Sequence, residues 1–97
     1  MLTGKQRAAL RALANPIETI FQIGKGGISE ALVVSVDKAL TARELIKLRA
    51  LENSLLSARE AAQQLAERTG SEIIQVIGTR FVLYRKNAEE PKITIPS

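Results

Sequence analysis

Hydrophobic residues recur along the chain with helical spacing in some segments and in short β-branched runs in others. Residues 31–40 place apolar side chains on one helical face, whereas residues 72–77 are a dense Ile and Val run typical of a strand. S/T-x-x-E/Q sequences that begin at Thr3 and Ser57 predict two capped helix starts. The pattern predicts helices over residues 4–14, 31–43 and 57–69 and strands over residues 17–23, 44–51, 72–77 and 80–85.

The order α-β-α-β-α-β-β predicts a single compact α/β domain whose four-stranded mixed sheet is packed by helices. Strand–helix–strand links imply parallel pairs, and the final hairpin adds an antiparallel pair. The many Ile and Val residues over 72–77 suggest that both faces of this strand are covered. We therefore expect a domain over residues 1–86 and a polar tail over residues 87–97, in which Lys92–Ile95 adds an edge strand or the tail is mobile.

A glycine-rich segment, Gly24-Lys25-Gly26-Gly27, lies between the first predicted strand and the second predicted helix. Glycine has no Cβ, so the backbone can approach a partner closely, and the first N–H groups of a helix lack internal acceptors. The backbone N–H groups of Gly26, Gly27 and Ile28, with the charge of Lys25, therefore predict a phosphate site. An ordinary strand-to-helix turn remains the alternative, because a G-x-x-G sequence is short and frequent.

Basic residues outnumber acidic ones, fourteen against ten, and the net charge is +4. Residues 1–49 hold eight of the basic and four of the acidic side chains, so the excess lies in the half with the glycines. A basic balance favours nucleic acid, an acidic protein surface or an anionic membrane as the partner. An ordinary solvated surface also explains each cation. The candidate phosphate-binding cations are Lys5, Arg7 and Arg11 of the first helix, Lys47 and Arg49 on a solvated face of the second strand, and Arg80 at the hairpin tip.

Cysteine and histidine are both absent from the 97 residues. Disulfides and thiol chemistry are therefore excluded, as are the commonest metal ligand and the commonest general base, and we predict neither a metal nor a cofactor. No apolar run approaches the length of a membrane span, which favours a cytoplasmic protein without a membrane partner. An enzyme with a phosphate-bearing substrate is the weakest hypothesis, because the glycine segment lacks the G-x-x-x-x-G-K-[ST] order of a nucleotide-binding loop.

Four segments together resemble the CRM domain, whose stand-alone bacterial form is the YhbY-like RNA-binding protein. The matching segments are Leu2-Thr3-Gly4-Lys5-Gln6-Arg7 with Leu10-Arg11, Gln22-Ile23-Gly24-Lys25-Gly26-Gly27, Ala42-Arg43-Glu44-Leu45-Ile46-Lys47-Leu48, and Gln75 to Arg85. The resemblance implies a fold like the C-terminal domain of translation initiation factor three and a loop like the G-x-x-G loop of KH domains. It also implies that Gly24–Gly27 hold RNA backbone and that the first helix extends the basic surface.

The resemblance implies a binding module that contacts structured ribosomal RNA on large-subunit precursors and assists ribosome assembly, most simply as a monomer. The chain has only three aromatic residues, Phe21, Phe81 and Tyr84, and both phenylalanines are expected in the core. We therefore expect recognition of RNA shape rather than stacking of bases on aromatic rings. The alternative function is a protein–protein adaptor whose basic face docks an acidic or ribosomal-protein surface.

Overall fold

Seven elements follow one another in the predicted order in a computed structural model that describes residues 2–96. They are α1 (Gly4–Ala14), β1 (Thr19–Ile23), α2 (Glu30–Arg43), β2 (Leu45–Ala50), α3 (Ala58–Thr69), β3 (Glu72–Ile77) and β4 (Arg80–Tyr84). Both predicted capping boxes are present, at Thr3 and at Ser57. Within residues 2–96, the longest helix has 14 residues and no helix is long and apolar enough to cross a bilayer. The predicted α/β domain with three helices and a four-stranded mixed sheet is confirmed.

The strands lie in the order β1-β2-β4-β3, with β1 and β2 parallel and β4 antiparallel to both of its neighbours. β4 lies between β2 and β3. As a result β2 and β3 run in the same direction but do not pair with each other. β4 is therefore central, with residues 81–84 all buried. β3 is an edge strand, and Ile77 at its end is 62% exposed. The prediction that both faces of β3 are covered was wrong for this end of the strand. The composition of β3 does not reveal that β4 inserts beside β2 and leaves β3 at the edge of the sheet.

Helices pack on both faces of the sheet. On one face, α2 and α3 bury a core that includes Val36, Leu48, Leu65 and Phe81. On the other face, α1 packs through Leu10 and Ala14 in a smaller cluster with Leu45, Val82 and Tyr84. Side chains alternate along a strand, so Lys47 and Arg49 lie on the α1 face. Their face is only partly solvated, in contrast to the prediction, and both residues are partly buried.

A β-bulge interrupts β3 at Ile74. Ile73 lies opposite Leu83 and Gln75 lies opposite Val82, so Ile74 is the extra residue between two paired positions. As a result Ile74 and Gln75 both belong to the α1 face, where strict alternation would send Gln75 to the other face. The sequence predicts a regular strand here, and the bulge is a finding of the structure.

Glu44 joins α2 to β2 and is completely buried. Its φ of 66° lies in the left-handed region, so Glu44 ends the helix and is not the first residue of the strand as predicted. Its carboxylate accepts three backbone N–H bonds, from Asn87 at 2.7 Å, Lys92 at 2.5 Å and Ile93 at 2.8 Å. Burial raises the pKa of Glu44, but these donors and the nearby charge of Lys86 lower it more, so that the pKa lies below its ordinary 4.5.

The C-terminal segment lies against the body of the domain through these bonds. No strand forms over Lys92–Ile95, so the edge strand, one of the two alternatives for this segment, was wrong. The backbone amides of this segment bond to the Glu44 carboxylate, and a carboxylate cannot continue a ladder of backbone pairs. Ile93 and Ile95 pack against the smaller core cluster, and the Gln6 side chain donates to the carbonyl of Pro96 at 2.8 Å.

Candidate nucleic-acid interface

The glycine segment forms an open loop between β1 and α2. The N–H of Gly27 donates to the carbonyl of Gly24 at 3.1 Å, which closes a turn within the loop. Gly27 has a φ of 66°, a conformation that glycine adopts without a steric cost. Among the described residues, Gly26 and Ile28 have no acceptor for their N–H groups. Two of the three predicted phosphate donors are therefore free, and that of Gly27 is already bonded.

The first turn of α2 begins beyond the loop, at Glu30. Ser29 caps the helix, and its side-chain oxygen accepts the N–H of Leu32 at 3.1 Å. Glu30 places a negative charge in the first turn, where it interacts favourably with the helix dipole, and it forms an ion pair with Arg68 of α3. The predicted contribution of the helix start to an anion site is therefore partly neutralised. The loop amides and Lys25 remain as the positive features.

The middle of the loop, at Lys25 and Gly26, is exposed to solvent. A Cβ added at Gly26 meets no atom within 4 Å, whereas one at Gly24 would lie 3.7 Å from Asn53 and Leu51. The turn after β2 thus borders the start of the loop. Lys25 is exposed and forms no ion pair with the described residues. The C-terminal segment does not roof the loop, because its bonds lie at the opposite end of the sheet, where β2 begins.

A row of three polar side chains crosses the sheet next to the loop. Gln22 of β1 is the register partner of Arg49 on β2, and Arg49 is the partner of Arg80 on β4. Gln22 lies two residues before Gly24, so the row begins where the loop begins. Gln22, Arg49 and Arg80 together are called the arginine row below. Neighbouring strands are about 4.8 Å apart, and two like charges directly opposite each other destabilise a sheet. The Nε of Arg49 is buried and has no hydrogen-bond partner. An anion bound beside the two guanidinium groups would reduce the repulsion between the two arginines.

Lys47 lies two residues before Arg49 on the same face of β2, opposite Val82. Its Nζ donates to the carbonyl of Asn15 at the end of α1, at a distance of 3.4 Å. This distance exceeds the usual range for N–H···O bonds, so the bond is weak. The ammonium group of Lys47 is thus available to a stronger acceptor beside the arginine row.

The first-helix cations are not gathered at the loop. Arg7 donates to the carbonyl of Ile73 at 2.8 Å and to Glu72 at 3.0 Å, which ties α1 to β3. These contacts lie at the end of the sheet where β3 begins, away from the glycine loop. Lys5 lies in the first turn of α1, directly before Gln6, whose side chain donates to Pro96 of the C-terminal segment. Arg11 is exposed one turn beyond Arg7. The structure therefore places Arg49, Arg80 and Lys47 near the loop and separates Lys5 and Arg7 from it.

Two polar residues of this face were not predicted as site residues from the sequence. Gln22 is exposed on β1, at one end of the arginine row, and Gln75 is partly buried on β3. The alternation of β1 could have indicated Gln22, because it follows apolar Phe21 and precedes buried Ile23. Nothing in the local sequence marks the bulge that turns Gln75 to this face.

The sequence of this domain matches one protein family. The sequence model of the CRS1/YhbY (CRM) domain matches residues 2–85, so the chain belongs to the CRM domain family. This match confirms the family resemblance drawn from the sequence.

Individual relatives agree with the family. The chain is 40% identical over 96 residues to the Bacillus subtilis protein named Probable RNA-binding protein YqeI, covering 99% of this chain and 100% of that protein. It is 30% identical to a Haemophilus influenzae protein named RNA-binding protein, over 98% of this chain and 95% of the relative. The solution structure of a hypothetical Staphylococcus aureus protein superimposes with a TM-score of 0.81 at 49% identity, over 99% of this chain and 100% of that one. A fold like the C-terminal domain of translation initiation factor three stays a prediction.

Proposed function

We propose that this protein binds RNA through one continuous surface made of the glycine loop and the adjoining arginine row. The free N–H groups of Gly26 and Ile28 hydrogen-bond a phosphate, and Lys25 pairs with that phosphate or its neighbour. Arg49 and Arg80 hold a further phosphate. Contacts of this kind position an RNA and carry little information about its sequence.

The observation that carries the proposal is the juxtaposition of Arg49 and Arg80 on paired strands. Arg49 and Arg80 lie directly opposite each other, and two like charges in this arrangement destabilise a sheet unless an anion neutralises them. A polyanion supplies acceptors and neutralises both charges. The RNA-binding names of the relatives and the net charge of +4 support the same ligand class.

The RNA bound in the cell is proposed to be structured ribosomal RNA on precursors of the large subunit, where the protein assists assembly in the cytoplasm as a monomer. This part of the proposal is supported by the family resemblance. Cross-linking the protein to RNA in cells and sequencing the attached fragments tests it directly. Fragments drawn mainly from messenger or transfer RNA would contradict it, as would recovery of a ribosomal protein with no RNA attached, which would favour the adaptor function.

Binding in solution tests the proposed surface. Fluorescence anisotropy with a labelled hairpin RNA, measured over a series of salt concentrations, gives the affinity and its salt slope. We expect K25Q, R49Q and R80Q each to weaken binding and to reduce the log–log slope by roughly 0.7 to 0.9, the value of one phosphate contact. Circular dichroism melts of each variant check that the fold is intact.

Matched controls separate this surface from the net charge. Lys38 and Arg43 are exposed cations on α2, so K38Q and R43Q remove the same charge at positions away from the loop and the arginine row. Arg68 is not a suitable control, because it pairs with Glu30 at the start of α2. Equal losses in the surface variants and in these controls would mean that RNA responds only to overall charge, and would refute the proposed surface.

A further inference from the structure

A small cavity opens on the α1 face of the sheet at the far end of the arginine row. Its volume is about 150 Å³, and its lining includes Asn15, Lys47, Gln75, Ile77, Arg80 and Val82. Pockets for drug-sized ligands measure roughly 300 to 1,000 Å³, so this cavity suits a smaller planar group. Ile77 is the register partner of Arg80, and the cavity is therefore continuous with the row that starts at the glycine loop.

The cavity combines an apolar wall with polar groups at its rim. The buried side chain of Val82 and the exposed side chain of Ile77 form apolar surface. Lys47 and Arg80 carry only donors, whereas the Gln75 amide has one acceptor and two donors. One planar aromatic heterocycle with acceptors on its edge fits this combination, because its face packs on the aliphatic side chains while its edge meets the cations.

We infer that this cavity binds one unpaired nucleobase of the RNA and prefers guanine to adenine. This inference rests on the proposed function and adds a specificity-determining contact to it. Guanine presents two acceptors, O6 and N7, on the edge that Arg and Lys recognise, whereas adenine places an amino group there. A glutamine alone can pair with adenine, but hydrogen bonds from the cations Lys47 and Arg80 are roughly twice as strong as neutral ones.

The base has to be unpaired because the major groove of A-form RNA is too deep and narrow for side chains to read. The RNA therefore carries a bulge or loop nucleotide beside the backbone that the glycine loop holds. The bulge at Ile74 creates the cavity, because it turns Gln75 towards Val82 and brings Ile77 opposite Arg80. Bulges often redirect a side chain in this way beside a binding site.

The test uses three hairpin RNAs that differ only at one bulged position, which is guanosine, adenosine or an abasic residue. For the wild-type protein, we expect affinity for the guanosine hairpin to exceed that for each of the others by about tenfold, as one bidentate contact provides. Q75A and I77A are expected to reduce the preference for guanosine over the abasic residue to less than about threefold, since each removes a side chain that lines the cavity and contacts the base. Both are expected to leave the salt slope unchanged, since neither removes a charge.

Matched controls exist for both substitutions. Gln63 is an exposed glutamine on α3, and Leu55 is an 87% exposed leucine in the turn after β2. Q63A and L55A are expected to keep the tenfold preference. Ile77 is itself exposed, so I77A is expected to fold, and a thermal melt checks this for every variant. Equal affinity of the wild-type protein for the three hairpins would overturn the inference, and so would a preference for guanosine over the abasic residue that survives in both Q75A and I77A.

A second measurement keeps this inference separate from the proposed function. If none of the hairpins binds in a salt-dependent manner, the proposed function fails, and mononucleotides still probe the cavity. In two-dimensional NMR spectra, guanosine 5′-monophosphate is expected to shift the Gln75 side-chain amide and the methyl groups of Ile77 and Val82. Ribose 5-phosphate, which lacks the base, is expected to leave them in place. Identical spectra with both compounds would overturn the base-binding cavity.

Discussion

Glu44 provides the sharpest test of how this fold is held together, because one buried carboxylate joins three parts of the chain. It lies between α2 and β2, and it accepts N–H bonds from Asn87, Lys92 and Ile93 of the C-terminal segment. The substitution E44Q keeps the size of the side chain and removes the charge. The glutamine oxygen still accepts from Lys92 and Ile93, whereas the amide nitrogen faces the N–H of Asn87.

The structure gives the expected cost of E44Q. One buried donor is left without an acceptor, which costs about 1 to 3 kcal/mol, and two charge-assisted bonds become neutral, which costs about 1 kcal/mol each. The substitution also removes the desolvation cost of a buried charge, which offsets part of this loss. We expect the free energy of unfolding to fall by about 3 kcal/mol. For a domain of this size, such a loss lowers the melting temperature by roughly 12 to 24 °C.

Acid dependence gives the same group a second signature. The pKa of Glu44 is lower in the folded state than its ordinary 4.5, so the unfolded chain binds the proton more readily. The stability that Glu44 contributes is therefore complete above pH 4.5 and is lost as the pH falls from 4.5 through the folded-state pKa. We expect the wild-type protein to lose more stability over this acid range than E44Q does.

Urea denaturation of both proteins at several pH values measures these effects. E67Q is the matched control, because Glu67 is an exposed glutamate on α3. In a variant that lacks residues 87–97, Glu44 has lost its three donors, and E44Q is expected to cost far less there than in the full chain. A cost of E44Q below about 0.5 kcal/mol in the full chain, the range of ordinary surface substitutions, would refute this account. An equal cost in the full and shortened chains would also refute it.

Four further substitutions test other parts of the structure. G27A is expected to lower stability by about 1 to 2 kcal/mol, because Gly27 has a positive φ, whereas G26A is expected to be nearly neutral in a urea titration. R7Q is expected to cost about 1 kcal/mol by breaking the tie between α1 and β3. R7Q is expected to change RNA affinity by less than twofold in the anisotropy assay. A larger change would show that Arg7 contacts the RNA, as the sequence predicted. L48A is expected to cost about 3 kcal/mol, because Leu48 lies completely buried in the larger core, and a melting temperature near that of the wild type would contradict this packing.

Local patterns were a reliable guide wherever one segment determines its own structure. The capping boxes at Thr3 and Ser57 formed as predicted because each involves residues only three positions apart. Ala61, Ala62 and Leu65 of the predicted third helix are buried together, because helical spacing alone places these residues on one face. The glycine loop lies where the sequence placed it, although Gly27 uses its own N–H to close the turn.

The candidate site was only partly predictable. Arg49 and Arg80 are 31 positions apart, and nothing in the sequence indicates that β4 inserts beside β2 and makes them register partners. Arg7 looked like an exposed cation because its partners, Glu72 and Ile73, lie on a distant strand. The position of Gln75 on the α1 face was not predicted, because a bulge without glycine or proline has no local sequence signature.

The sequence by itself determined the family, the order of helices and strands, and the position of an exposed glycine loop, because these depend on residues close together in the chain. Tertiary structure alone decided the strand order, the burial of Glu44 under the C-terminal segment and the alignment of the two arginines beside the loop. These features arise from contacts between distant segments. Their free energy depends on the packing of the whole domain, which no local pattern encodes.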